Sequence, residues 1–337
     1  MFANNQNIVR LFAVLCIALL LGACSTPKSE FLTIEGEALG TFVQVKCNTS
    51  LDDDEIIAIV RRIDTEAKES MSIFNESSLL SKINRNDTDS LDCHIIRNIE
   101  LAERFSKLSN GAYDITIKPL TEAWGFAAEK SDGSTPNIDS LLDFVGYDKI
   151  LVCDGRLCKA DTRVEIDLNS IAKGYTVDLV AEELEKRGIT DYMVNIGGEI
   201  RCRGVNAKSE RWTIGIETPY DGNMSQESFE KIIDVTDCAI ATSGNYRRFY
   251  LTDDGRKVAH TLDPRTGYSV ISDLLSATVI APTCAEADAA ATMFMAMGSE
   301  GGAAELAQHC EEEFGWKYYF IYADGENYRI ECSEELR

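Results

Sequence analysis

The sequence has 337 residues and is strongly acidic, with 33 Lys and Arg residues against 56 Asp and Glu residues and a net charge of −23 at pH 7. Nucleic acid is bound through clusters of Lys and Arg, and no such cluster is present, so the composition argues against a nucleic-acid partner. A hydrophobic fraction of 45% in a chain of this length permits a large core, in one or two domains with a mixed fold.

The first 23 residues have the features of an export signal. Arg10 precedes an apolar run that is short for a bilayer span and ends in small residues. The ending LLGAC resembles the bacterial lipobox, which implies a signal peptide over 1–23, acylation of Cys24 and a polar tether over 24–34. An uncleaved anchor helix or a plain secretory signal is the alternative. Removing 1–23 takes away a single charge, on Arg10, and leaves a net charge of −24.

Hydrophobic periodicity predicts helices and strands in mixed order. The stretch GTFVQVKC alternates as a strand does, with Val43, Val45 and Cys47 on one face. Helices are predicted at 55–69, 93–108, 138–144, 171–187, 284–297 and 300–312, and further strands at 150–160, 163–168, 191–205, 211–217, 238–242, 246–251, 274–281, 316–322 and 327–332. The polar stretch 218–230 is interpreted as a surface loop. Because hairpins and helices do not alternate strictly, we predict an α+β fold with mixed sheets and flanking helices, rather than a doubly wound sheet.

The cysteines do not form a metal-binding or disulfide pattern. Nine remain after Cys16 and Cys24 are set aside, no pair has C-x-x-C spacing, and three histidines supply no zinc set. A two-residue turn at 154–155 would place Cys153 opposite Arg156 and Cys158 opposite Leu151, so we predict no bridge between these two cysteines. We interpret the nine mostly as small core residues.

The stretch VEIDLNSIAKGYTVD, residues 164–178, joins an apolar run to a helical pattern. We predict that Asp167 ends a strand, that Ser170 caps the following helix and that Lys173 projects from its first turn. Free N–H groups, the positive end of a helix dipole and a lysine suit a phosphate or carbonyl oxygen. Such a local device is what an acidic chain needs to bind phosphate. The alternative is an ordinary capped surface helix with Lys173 in solvent.

Two turn segments also carry candidate residues. Gly197 and Gly198, in VNIGGEIRCRG, stand at a strand end, where missing side chains let a backbone or a ligand come close. A plain strand turn is the alternative. His260, in AHTLDPRTG, stands among turn residues rather than in an apolar stripe, which makes it a candidate for catalysis as well as for a structural role.

Near the C-terminus, APTCAEADAAATMFMAMG predicts a helix with Thr283 as its N-cap and Glu286 in a capping box. Asp288 and Thr292 lie four residues apart, on one helical face with only alanines between them. A carboxylate and a hydroxyl are hard oxygen ligands that Mg²⁺ or Ca²⁺ could use. The alternative is an alanine-rich core helix whose aspartate bonds to a neighbouring backbone.

Eight segments, taken in order, resemble the ApbE family of flavin transferases from Leu39 to Thr292. They are ALGTF, MSIFNESSLLSKIN, GAYDITIKPLTEAWGF, DLNSIAKGYTVD, YMVNIGGEI, ATSGNYRRF, HTLDPRTG and ADAAAT. The resemblance implies an ApbE-like domain over 35–337 with an FAD site in a central cleft. It implies a Mg²⁺-dependent enzyme, lipid-anchored at the bacterial cell membrane and facing the periplasm. This enzyme would cleave FAD and attach FMN to a Thr or Ser hydroxyl of flavoproteins, such as subunits of NADH:quinone reductase or Rnf-type complexes.

The same resemblance implies roles for individual residues. It implies pyrophosphate binding by Asp167 and Lys173, a metal site at Ser170, Asp288 and Thr292, and flavin contacts at Leu39, Phe74, Ala112, Tyr113 and Asp114. The sequence departs from the family pattern at Asn169 and Ser170, where glycines are common, and at Phe74, where Tyr is common.

The mechanism implied is phosphoryl transfer, which depends on positioning and charge neutralisation. An acceptor hydroxyl would attack the FMN phosphorus and AMP would leave, with His260, helped by Asp263 or the Ser243 turn, as the base. With water as the acceptor, the protein would be a Mg²⁺-dependent FAD pyrophosphatase that gives FMN and AMP. Without turnover, it would be an FAD-binding lipoprotein.

Overall fold

The computed structural model describes residues 30–126, 136–219, 229–245, 249–251, 257–325 and 327–337. The predicted signal peptide and Cys24 lie outside the described residues. So do most of the loop expected at 218–230 and the first part of the strand expected at 246–251.

Strands and helices occur in mixed order along the chain. The strands are β1 (Glu30–Ala38), β2 (Thr41–Thr49), β3 (Ile150–Cys153), β4 (Arg156–Lys159), β5 (Tyr192–Ile196), β6 (Glu199–Arg203), β7 (Trp212–Glu217), β8 (Phe229–Val235), β9 (Cys238–Gly244), β10 (Phe249–Leu251), β11 (Lys257–Ala259), β12 (Leu274–Ala281), β13 (Lys317–Asp324) and β14 (Asn327–Cys332). The helices are α1 (Asp53–Met71), α2 (Leu79–Asn84), α3 (Cys93–Leu108), α4 (Lys118–Ala123), α5 (Ile138–Leu142), α6 (Ala172–Lys186), α7 (Cys284–Met297) and α8 (Ala303–Phe314). Short 3-10 turns cover Tyr147–Lys149 and Glu334–Leu336.

An eight-stranded antiparallel sheet forms the centre of the fold, in the order β1-β2-β5-β6-β9-β12-β13-β14. Its central strands are buried on both faces. Alternate side chains point to opposite sides of the sheet, and each set packs in a hydrophobic core. In β13, Phe320 and Tyr322 join the core under the helices, whereas Tyr319 and Ile321 join a second core with Trp212 of β7. Helices α1, α6, α7 and α8 cover one face, and the β7–β8 ribbon covers the other. The α+β prediction is confirmed.

Several elements begin and end at the residues that the sequence pattern predicts. The expected helices at 93–108 and 284–297 and the strands at 274–281 and 327–332 have the predicted bounds. Helix α1 begins with a capping box between Asp52 and Glu55 and buries Ile56, Val60 and Ile63. The strand predicted at 150–160 is a hairpin, and its register pairs residues 153 with 156 and 151 with 158, as expected.

The predictions for residues 163–168 and for the last part of the tether are wrong. Residues 163–168 form no strand, because both backbone groups of Ile166 bond to the Asn84 side chain, at 2.8 Å each, and Glu165 makes only an isolated bridge to Ile117. The last part of the predicted tether, residues 30–34, belongs to β1, which pairs with β2 over its whole length. Its outer side chains are polar because β1 is an edge strand, and this hid the strand pattern.

All nine cysteines of the described region have free thiols, and four of them are buried: Cys47, Cys202, Cys284 and Cys310. Interpretation as core residues therefore holds for these four, while Cys93 and Cys158 are exposed. Over the part of the chain that the structure describes, no helix combines the length and the apolar character needed to cross a membrane.

Each of the helices α6 and α7 has an aspartate that accepts hydrogen bonds from backbone amides near the N-terminus of the other helix. Asp288 of α7 accepts a hydrogen bond from the Gly174 amide of α6, at 2.9 Å. Asp178 of α6 accepts bonds from the amides of Cys284 and Ala285, at 2.9 and 2.8 Å. A carboxylate is favoured at a helix N-terminus because it meets unsatisfied N–H groups and the positive end of the dipole. This pair of contacts fixes the two helices that carry Lys173 and Asp288.

Gly174→Ala is expected to destabilise the protein. A Cβ at Gly174 would lie 2.3 Å from the carbonyl oxygen of Cys284 and 2.8 Å from the Asp288 Cβ, so α6 and α7 would have to separate. Overpacking of this kind costs about 1–3 kcal/mol. Thermal unfolding measures it, with Gly36→Ala as the control, because a Cβ there meets Val43 at an ordinary 3.7 Å. Equal melting temperatures for the two variants would contradict the close approach.

Candidate functional site

A pocket of about 340 Å³ opens where β6 begins, β9 ends and helix α6 starts, and it runs alongside helix α7. Segments that are far apart in the sequence meet there. Nine of the predicted site residues line it: Ala112, Tyr113, Asp114, Asp167, Ser170, Lys173, His260, Asp288 and Thr292. Ser243, the suggested helper of His260, also lines the pocket.

Two predicted flavin contacts lie outside the lining of this pocket. Leu39 occupies the tight turn between β1 and β2, with φ of 51°, and its amide donates a 2.7 Å bond to Asp64. Its partly buried side chain packs against the helix-side cores. The Phe74 side chain is 55% exposed.

Among the described residues that line the pocket, carboxyl groups outnumber lysine, and the one lysine, Lys173, is held by a carboxylate that the sequence analysis did not predict. Nζ of Lys173 lies 2.7 Å from Oε2 of Glu199, which is buried at the first position of β6. Burial alone would lower the pKa of Lys173, but the charges of Glu199 and Asp288 outweigh it, and the pKa is raised. The ammonium group therefore stays charged. The available signal was an acidic residue that directly follows Gly197 and Gly198 at the start of a strand.

Asp288 is buried among like charges. Its burial, and then the charge of Glu199, raise the pKa of its carboxyl to about 8, although Lys173 and the Gly174 amide act in the opposite direction. An aspartate that is costly to ionise is one that a bound cation would stabilise. The hydrogen bond to Gly174 is the backbone contact expected under the core-helix alternative, so Asp288 serves the packing of α6 as well as facing the pocket.

Hydroxyl oxygens suited to a hard cation line the same pocket as Asp288. Thr292 follows one helical turn later, with Oγ1 3.2 Å from Oγ of Ser243, and Ser170 also lines the pocket. The described residues contain no cluster of three His, Cys, Asp or Glu side chains that could hold a metal ion by itself. Magnesium commonly uses one or two protein carboxylates and completes its shell with water and substrate phosphates. The donor set around Asp288 fits Mg²⁺ under that arrangement.

The prediction that Ser170 caps helix α6 is wrong. The helix begins at Ala172, and the residue at its N-cap position is Ile171, which makes no side-chain cap bond. Instead, the Ser170 hydroxyl donates a 2.9 Å bond to the Tyr113 hydroxyl. This bond joins the segment before α6 to the segment at 112–114.

Asp114 and Asp167 shape the pocket through bonds to the backbone. Asp114 accepts two bonds from Thr116, one from its amide and one from its hydroxyl, each at 2.7 Å. Asp167 accepts a 2.8 Å bond from the amide of Asn169, and its own amide donates to the carbonyl of Ile115 at 2.7 Å. Burial raises the pKa of both carboxyls, and the bonds from Thr116 and Asn169 limit the rise. Asp167 therefore ends no strand, but its position is fixed beside 112–116.

His260 follows β11 and is half-buried in the pocket lining. Its ring meets Phe126 edge to face, with 6.4 Å between the ring centroids. The carboxylate of Asp263 accepts two side-chain bonds from Arg265, each at 2.9 Å, so this guanidinium engages it within the turn.

Comparison with known proteins identifies the same fold in flavin transferases. The family model described as ApbE matches residues 39–314. The FAD:protein FMN transferase of Haemophilus influenzae is 36% identical over 310 residues, which cover 87% of each chain. The flavin transferase ApbE from Vibrio cholerae superimposes with a TM-score of 0.80 at 29% identity, over 91% of this chain and 98% of that one. The apo flavinyl transferase ApbE of Pseudomonas stutzeri gives 0.80 at 26% identity, over 93% and 98%.

The ApbE-like fold implied by the sequence segments is thereby confirmed. A family model that spans most of the sequence, and a relative that is more than 30% identical over most of both chains, agree with each other and with the superposition. This chain belongs to the ApbE family.

Proposed function

We propose that this protein is an FAD:protein FMN transferase that moves FMN from FAD to a threonine or serine hydroxyl of an acceptor protein and releases AMP. The arrangement of Lys173, Glu199 and Asp288 supports the proposal most directly. It places a charged ammonium group beside two buried carboxyl groups in a pocket that several distant segments form together. Such a site suits a pyrophosphate that must be held and then cleaved.

The charge of the pocket supports a requirement for a divalent cation. Among the described residues, four carboxyl groups, those of Asp114, Asp167, Glu199 and Asp288, line the pocket with a single lysine, Lys173. A pyrophosphate would be repelled there unless further positive charge were present. Asp288, Thr292 and Ser170 would hold Mg²⁺. When bound, the ion would neutralise phosphate charge and stabilise the charge that develops on the departing AMP.

Side chains of the protein orient the pyrophosphate and accept the proton of the acceptor. Lys173 orients the pyrophosphate through an ammonium group that Glu199 holds in place. The acceptor oxygen forms a bond to the FMN phosphorus as the bond from this phosphorus to the oxygen of AMP breaks. His260 accepts the proton of the attacking hydroxyl, since imidazole is the most common general base in enzymes and His260 lines the pocket.

The reaction products test the proposal. Purified protein is incubated with FAD, MgCl₂ and a purified acceptor domain from an NADH:quinone reductase or Rnf-type subunit, and nucleotides and protein-bound flavin are separated. The proposal predicts AMP and bound flavin in equal amounts. Free FMN with AMP would instead identify a pyrophosphatase, and unchanged FAD would identify a protein that only binds FAD.

We further propose that the protein is lipid-anchored at the bacterial cell membrane, faces the periplasm and modifies subunits of NADH:quinone reductase or Rnf-type complexes. The segment LLGAC supports the anchor, because its cysteine is the residue acylated in bacterial lipoproteins. Attached acyl chains would hold the domain at the membrane, where such complexes lie.

Cys24→Ala is expected to release the protein from the membrane without loss of transfer activity. Cys24 is the only cysteine in LLGAC, so its loss leaves no thiol for acylation at that site. Detergent phase partitioning measures the change, with Cys158→Ala as the control because Cys158 is exposed in the folded domain. Partitioning of Cys24→Ala into the detergent phase, together with the parent, would contradict the anchor.

A further inference from the structure

A second cavity, of about 630 Å³, lies on the sheet face that carries β7 and β8. Its floor contains both polar and apolar side chains, among them Phe42 and Gln44 of β2 and Asn195 of β5. These side chains point away from the helices, since Val43 and Val45 of the same strand pack in the helix-side core. We call this cavity the β7 groove.

The β7 groove adjoins the catalytic pocket. Glu199 and Thr242 line both cavities. Glu199 is also the residue that holds Lys173, at 2.7 Å. A ligand that lies in the β7 groove therefore reaches the side chains that are expected to surround the FAD pyrophosphate.

One wall of the groove is the edge of a strand. Four successive residues of β7, Trp212 to Gly215, line it, whereas β8 contributes only Phe229. Successive side chains of a strand point to opposite faces, so a cavity that touches four in a row runs along the strand's edge. In the described part of the chain, β7 pairs with β8 alone. Such an edge offers N–H and C=O groups to an added extended segment.

The mouth of the groove offers apolar anchors. Phe42 is 37% exposed and Phe229 is 51% exposed, and both line the groove. Aromatic side chains of this kind supply much of the binding energy in protein–protein contacts. The neighbouring Ile232 of β8 is also exposed, at 62%, but it does not line the groove.

We propose that an extended segment of the acceptor protein lies in the β7 groove, adds to the edge of β7, and carries its Thr or Ser hydroxyl past Glu199 into the catalytic pocket. This inference rests on the proposed transfer reaction, because that reaction has two substrates of different size. FAD is a small molecule that the first pocket takes, and the second substrate is a folded protein whose hydroxyl must arrive through an open route. The β7 groove offers such a route, because it shares Glu199 and Thr242 with the pocket expected to take the pyrophosphate.

The test separates acceptor binding from FAD binding. Phe42→Ala and Phe229→Ala remove the apolar anchors, and Ile232→Ala is the matched control on the same ribbon. For each variant, the transfer rate is measured against the concentration of the purified acceptor domain, and FAD affinity is measured by flavin fluorescence. We expect the acceptor KM to rise about 5–30-fold in the groove variants, the usual effect of losing an interface anchor. FAD affinity and the Ile232→Ala kinetics should stay at the parent values.

A second variant tests the groove by filling it. Thr213 is exposed on β7 and lines the cavity, so Thr213→Trp should block the acceptor while leaving FAD binding intact. Thermal unfolding confirms that each variant is folded. Folded groove variants with the parent's acceptor KM would overturn the docking site and leave the transferase proposal standing. Failure of the parent protein to modify the acceptor would overturn both.

Discussion

Replacing Asp288 with asparagine is expected to reduce FMN transfer by at least about 10²-fold, because the pocket loses the only carboxylate of the expected metal site. Asparagine keeps an oxygen that can accept the bond from the Gly174 amide, so the contact between α6 and α7 survives. Thr292→Ala removes a neutral ligand and should cost less, about tenfold. Initial rates over a range of Mg²⁺ concentrations measure both effects. Parent-like dependence on Mg²⁺ in Asp288→Asn would place the metal elsewhere.

Asp288→Asn is expected to raise the stability of the protein when no metal is present, although it lowers the transfer rate. The pKa of Asp288 is raised from 3.8 to about 8, so between about pH 4 and 8 the folded state keeps a proton that the unfolded state has released. Stability from this group therefore falls as the pH rises through that range. Asp288→Asn removes the dependence and should melt at a higher temperature than the parent at pH 8, with a smaller difference at pH 5.

Added Mg²⁺ should then raise the melting temperature of the parent at pH 8, since a ligand that binds only the folded state stabilises it. It should leave Asp288→Asn unchanged. A variant that melts below the parent at pH 8 without metal would show that the ionised carboxylate stabilises the fold by itself, contrary to this account.

His260→Ala is expected to lower the transfer rate by about 10²–10⁴-fold, the usual contribution of a positioned general base. FAD affinity should change little, because Lys173 and Asp167, expected at the pyrophosphate, and Asp288, expected at the metal, lie on other segments. Stopped assays of transfer and fluorescence titration of FAD measure the two quantities. His309→Ala is the control, since His309 is exposed on α8 and pairs with Glu313 at 2.9 Å.

A structural role for His260 would give a different pattern. Loss of its ring would loosen the contact with Phe126 and the following turn, so melting temperature and FAD affinity would fall together with the rate. A folded His260→Ala protein that transfers FMN at the parent rate would remove this residue from the mechanism.

The sequence predicted those elements in which local and tertiary signals agree. Helix α7 has an N-cap at Thr283 and an apolar length that is buried almost all round, and its bounds were predicted correctly. Strand β1 was missed because its exposed glutamates mask the alternation, and only its pairing with β2 makes it a strand. The run at 163–168 has strand composition, but the Asn84 side chain takes the backbone bonds that a neighbouring strand would need.

Site residues could be predicted only where a sequence motif already indicated their chemical role. Asp288 and Thr292 share a helical face by spacing alone, and the structure brings them to one pocket with Lys173. Glu199 was not predicted, because its role depends on the sheet order that places the start of β6 beside α6. The resemblance named Leu39 and Phe74 as flavin contacts, and nothing local to those residues could indicate that they lie outside the lining of this pocket.

The most direct test of the central claim is the intact mass of an acceptor domain after incubation with this protein, FAD and MgCl₂. The account predicts that the mass rises by that of FMN less one water, on a single Thr or Ser residue. It also predicts no rise with Asp288→Asn or when Mg²⁺ is chelated. An acceptor of unchanged mass, in a reaction where the parent protein has bound or cleaved FAD, would contradict the assignment as a transferase.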